Sequence, residues 1–170
     1  MNDPVAIQSP TSRRVVAPTI VAGGLAASAS TGALIAIGRR LGSVRLPFAA
    51  IGATLAHTTI SSGSTSLVIV GLVGHVLLSF VWAIAFVALV TRGWRLAAAG
   101  IVVGCAEFAL SWITASVTGN GLASVVQLGD CVVLAIVIAV SLVVGIRVAV
   151  GQNAFDSRAM HNSSQGETRM

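Results

Sequence analysis

Residues 71–90, GLVGHVLLSFVWAIAFVALV, form an apolar run in which His75 is the only ionisable side chain. About twenty such residues, wound as an α-helix, cross the roughly 30 Å hydrocarbon core of a bilayer. Lipid offers backbone N–H and C=O groups no partner, so the run must satisfy them within itself. A membrane-spanning helix is the structure this stretch predicts.

The rest of the chain agrees. Of 170 residues, 55% are hydrophobic and 9% charged, against about 25% charged in a soluble domain. Mean hydropathy is +0.94. That leaves too little charge to cover a water-facing surface, and predicts one integral membrane domain. The formal net charge is +5, and every basic residue is Arg. These arginines sit at the ends of apolar runs, where loop charges orient a membrane protein, rather than in a patch that would hold nucleic acid. Cys105 and Cys131 lie in or beside apolar runs with no CxxC, which predicts buried free thiols.

Four spans follow along the chain. Residues 1–14 hold Pro4 and Pro10 and are expected to be disordered. Arg13 and Arg14 before an apolar run look a little like a twin-arginine export signal, but further spans follow, so they are read as anchors on the cytoplasmic side. The first helix is expected over about 15–38, with Pro18 in its first turn. Gly24, Ser28 and Gly32 recur every four residues and predict a small-residue packing face. Residues 46–60 are apolar but cover only about 22 Å as a helix, short of the roughly 30 Å core. They are expected to form an interfacial or re-entrant segment; the alternative is a fifth span. The second helix is expected over 67–90. A turn with Trp94 as interface anchor precedes the third, over 96–117, which packs through Gly100 and Gly104. The fourth ends near Val150, and 151–170 is expected to be a flexible cytoplasmic tail. The fold class is therefore all-α: a polytopic four-helix transmembrane bundle over 15–150.

Orientation follows from counting. With four spans, Arg13, Arg14, Arg92, Arg95, Arg147, Arg158 and Arg169 share one side, and Arg39, Arg40 and Arg45 the other. The excess predicts both termini in the cytoplasm.

Gly71-x-x-x-His75-x-x-x-Ser79, preceded by Leu46-Pro47-Phe48-Ala49-Ala50-Ile51-Gly52, resembles uncharacterised small four-helix bacterial inner-membrane proteins. Those proteins have a Gly/Ala-rich first helix, a short apolar loop after a Pro, and a second helix with G-x-x-x-H. The likeness covers about 21–150. Where they carry His near the start of the fourth helix, this chain has Asp130. The resemblance implies a bacterial inner-membrane location and no particular activity.

Three ionisable residues fall inside the spans. Each costs about 2.5–3.5 kcal/mol on insertion scales, so each needs a partner or a wet cavity. Glu107 shares a helical stripe with Gly100, Gly104 and Ser111; His75 shares one with Gly71, Ser79 and Trp82; Asp130 lies near the start of the fourth helix. At about 1.5 Å per residue they reach similar depths from one side, which predicts a single polar layer with His75 against Glu107. As a proton or cation site, the three would serve a small coupled transporter. As structural groups they tie helices together, in a structural or accessory membrane protein that works with a second copy of itself or another membrane protein. No cofactor or metal is expected: a bis-histidine haem needs two membrane histidines and His75 stands alone, and no tight ligand spacing occurs. Neither a G-x-S-x-G elbow nor a phosphate loop is present, so no catalytic residue is assigned and an enzyme ranks third.

Overall fold

A computed structural model describes the backbone of residues 10–61 and 63–166, and the side chains of 15–61 and 63–151. The chain forms α1 (Pro10–Arg40), α2 (Leu46–Leu55), α3 (Thr65–Thr91), α4 (Leu96–Thr118), a 3-10 turn (Leu122–Ser124) and α5 (Leu128–Gly166). No strand occurs among the described residues. Four stretches are long and apolar enough to cross a membrane: Val15–Arg40, Thr65–Thr91, Leu96–Thr118 and Leu128–Gly151. The protein is an all-α membrane bundle.

Local chemistry sets three of the helix ends. The Ser64 side chain caps α3 by accepting from the Leu67 N–H. Gly119 closes α4 at φ +67°, in the left-handed region that favours glycine. Pro47 opens α2, where its missing N–H costs nothing.

Both faces of the helices are apolar, and on α3 it is the small and polar residues that fill much of the buried one. The buried face of α3 is Gly71, His75, Ser79, Ala83, Phe86 and Val87, while Ile69, Val73, Leu77, Val81 and Ile84 are exposed. Lipid tails solvate aliphatic side chains as well as a protein core does, so small and polar residues take the contacts between helices. α1 packs on α3 and on α5, and α4 packs on α5, while α3 and α4 meet only lightly. The helices therefore run around the bundle in the order α3, α1, α5, α4, with a gap between the first and last.

Backbones meet where glycines allow it. A Cβ on Gly145 would come within 2.5 Å of Ala22 Cα, and one on Gly104 within 3.2 Å of the Ala135 carbonyl oxygen. Gly100 and Gly104 thus seat α4 on α5. The row Gly24, Ser28 and Gly32 differs from expectation. Ser28 and Gly32 are exposed, and a Cβ on Gly24 or Gly32 would meet nothing within 4 Å. The contact face of α1 is instead Ala22, Gly23, Ala26, Ser30 and Leu34, all buried. Both rows have small residues at helical spacing; the second also brings Gly23 under Phe80 of α3.

The segment 46–60 contains only the ten-residue α2. Pro47 packs by Gly38, and Thr54 lies beside Gly121. α2 therefore covers the end of the bundle where α1 finishes and α4 turns into α5. Its tightest contact is with α3: a Cβ on Gly71 would fall 1.8 Å from the Phe48 carbonyl oxygen.

Two boundaries and one cysteine differ from the sequence expectation. Helix α1 begins at Pro10, inside the segment expected to be disordered, so Pro18 is interior to it rather than in its first turn; residues 1–9 lie outside the described residues. Helix α5 continues to Gly166, through residues expected to be a flexible tail. Cys131 is buried as expected, but Cys105 is exposed, at the rim of a groove between α4 and α5.

Candidate functional site

His75 sits one turn beyond Gly71 on the buried face of α3, and it is 4% exposed. Its Nε2 lies 2.8 Å from the Ser30 hydroxyl of α1. The Ser30 O–H is already committed, donating to the Ala26 carbonyl at 2.6 Å, as serines inside helices do. Both bonds form together only in the tautomer in which Ser30 accepts and Nε2 carries the proton. That tautomer leaves Nδ1 as an acceptor with no partner among the described residues. No fully enclosed side-chain nitrogen or oxygen lacks a partner among them, so Nδ1 reaches an open surface.

That surface is a cavity of about 490 Å³. Its walls come from α2 (Ile51, Thr54, Leu55), α3 (His75, Leu78, Val81 among others), α4 (Glu107, Leu110, Ser111, Thr114), the Gly121–Leu122 turn and Leu134 of α5. It fills the gap where α3 and α4 fail to close. Leu55, Leu77 and Val81 at its mouth are more than half exposed, so it opens sideways, toward lipid.

Glu107 is 6% exposed and lines the same cavity. Its carboxyl accepts a hydrogen bond from the Trp82 indole N–H of α3. Asp130 lies elsewhere. It is ion-paired with Arg40 at the end of α1 and also accepts from the Gln127 N–H at 3.1 Å. That is a capping contact in the first turn of α5, at the positive end of its dipole.

The expected single polar layer thus divides. His75 and Glu107 share a cavity without an ion pair between them; His75 bonds Ser30 of α1 and Glu107 accepts from Trp82 instead. Asp130 stands outside that cavity, paired with Arg40 at the end of α1. Among the described residues no three His, Cys, Asp or Glu side chains come together as a metal site would need.

Three partners were missed from sequence. Trp82 had a signal, since it shares the His75 stripe and its indole N–H needs an acceptor when buried. Arg40 had one too, as the cation across from the acid near the start of α5. Ser30 had none, because Ser28 two residues before it offered the same chemistry on the other face.

Comparison with protein-family models, curated proteins and solved structures gives no match.

Proposed function

We propose that this is a structural or accessory component of a bacterial inner membrane, with both termini in the cytoplasm. One observation carries this: His75, Glu107 and Asp130 each tie a different pair of helices. His75 to Ser30 joins α3 to α1, Glu107 to Trp82 joins α4 to α3, and Asp130 to Arg40 joins α5 to α1. The remaining pair, α4 and α5, is seated by Gly100 and Gly104. The outward row Gly24, Ser28 and Gly32 suits close approach by a helix of a second copy or of another membrane protein. The arginine asymmetry supports the orientation, and the resemblance to small bacterial inner-membrane proteins supports the location.

The cavity favours a second reading, a small proton- or cation-coupled transporter. It contains His75 and Glu107, with Asp130 set apart from it. Flux into proteoliposomes under an imposed proton or cation gradient separates the two. A structural component gives none above protein-free vesicles. Flux that Glu107→Gln abolishes, with the fold intact, would replace the first reading by the second. The amide oxygen of Gln still accepts from Trp82, so the tie itself survives that change.

A further inference from the structure

The free hydrogen-bonding capacity of the cavity is one-sided. Nδ1 of His75 can only accept while Nε2–H is donated to Ser30. The Trp82 N–H is consumed by Glu107. Thr54 and Thr114 donate back to their own helices, to Ala50 O at 3.1 Å and Leu110 O at 2.8 Å, and the Ser111 hydroxyl, one turn on from Glu107, is taken up by the Glu107 carboxyl, which leaves only their oxygen lone pairs. No Lys or Arg lines the wall. The cavity therefore offers acceptors, one of them a carboxyl group, with no cation beside it. The rest of its wall is aliphatic and open to the bilayer.

We propose that this cavity binds hydrophobic primary ammonium ions. The ammonium supplies the positive charge that Glu107 lacks and the N–H donors that Glu107 and His75 Nδ1 accept. The apolar body lies against Ile51, Leu78, Leu110 and Leu134, and enters between α3 and α4 from the membrane. A bare metal ion suits the site less, since the aliphatic wall cannot replace its water shell. The inference uses the cavity of the cation reading above but requires binding alone. Saturable binding without flux leaves it standing while the transport reading falls.

The test is equilibrium binding of phenylbutylamine to the full chain in lipid nanodiscs, against empty nanodiscs and against phenylbutanol, which has a similar shape without the charge. The amine should bind saturably, and the alcohol about tenfold or more weakly, the worth of one charge-assisted hydrogen bond. Glu107→Gln should cost a similar factor with an unchanged unfolding temperature. Val81→Trp, at the exposed mouth, should block the amine without touching the core, and decides the matter if the Gln variant fails to fold. Equal affinity for amine and alcohol, no saturable binding above empty nanodiscs, or amine binding that survives both substitutions would overturn the proposal.

Discussion

His75 of α3 donates its Nε2 proton to the Ser30 hydroxyl of α1 across 2.8 Å, and this bond joins two helices that adjoin nowhere in sequence. Ser30→Ala leaves the donor buried and unpaired. We expect a loss of about 1 kcal/mol, since hydrogen bonds between membrane helices are worth less than their burial suggests. A double-mutant cycle with His75→Phe, read by reversible unfolding in mixed micelles, checks it. If Ser30→Ala costs as much in the His75→Phe background, the bond contributes nothing.

Gly71→Ala should be severe for its size. The added methyl would fall 1.8 Å from the Phe48 carbonyl oxygen and 2.8 Å from the Gly52 backbone nitrogen. Backbone cannot swing aside as a flexible side chain does, so α2 must lift from α3. A cost of about 1–3 kcal/mol is expected, as for overpacked cores. Gly24→Ala meets nothing within 4 Å and should leave the melting temperature level or raise it, through better helix propensity. Equal effects of the two changes would contradict the contact.

Gly104→Leu and Gly32→Leu should separate folding from association. Gly104 already allows an added Cβ only 3.2 Å from the Ala135 carbonyl oxygen, so leucine there should lower the unfolding temperature. Gly32 is exposed, so leucine there should spare unfolding. If a partner helix uses its row, energy transfer between labelled copies, or co-purification of the other protein, should fall.

Asp130→Asn should be mild. The Arg40 side chain is 51% exposed, and pairs so open to solvent contribute about 0–1 kcal/mol. The amide oxygen can still accept from the Gln127 N–H. Asp130→Ala removes both contacts and should cost more, by about the worth of a helix cap at roughly 1 kcal/mol. Unfolding at low and high salt distinguishes them, because only the ion-pair part is screened.

Reporter fusions test the orientation. A periplasm-active reporter inserted at Gly63 should work, and one after Met170 should not. The opposite result would invert the bundle and place Arg39, Arg40 and Arg45 inside.

The sequence by itself determined the spans, because a long apolar run in lipid must close its own hydrogen bonds and only a helix does so. It favoured an interfacial or re-entrant 46–60 over a fifth span, from length alone, and pointed to Gly100 and Gly104 as a helix contact, where small residues bring backbones together. It also picked out His75, Glu107 and Asp130, since charge in hydrocarbon is costly enough to be conspicuous in any sequence.

Only the tertiary structure decided whom those residues meet. In water, the exposed side of a helix is marked by polar residues. In lipid both sides are apolar, so Gly24-Ser28-Gly32 and Ala22-Ala26-Ser30 look alike along the chain, and it took the packing of Gly145 on Ala22 to choose between them. Depth along each helix was readable at a fixed rise per residue. Rotation and neighbour order were not, and these are what set His75 on Ser30, Glu107 on Trp82 and Asp130 on Arg40. The cavity between α3 and α4 is of the same kind: it exists because two helices do not close, and a gap between helices leaves no mark in the sequence of either.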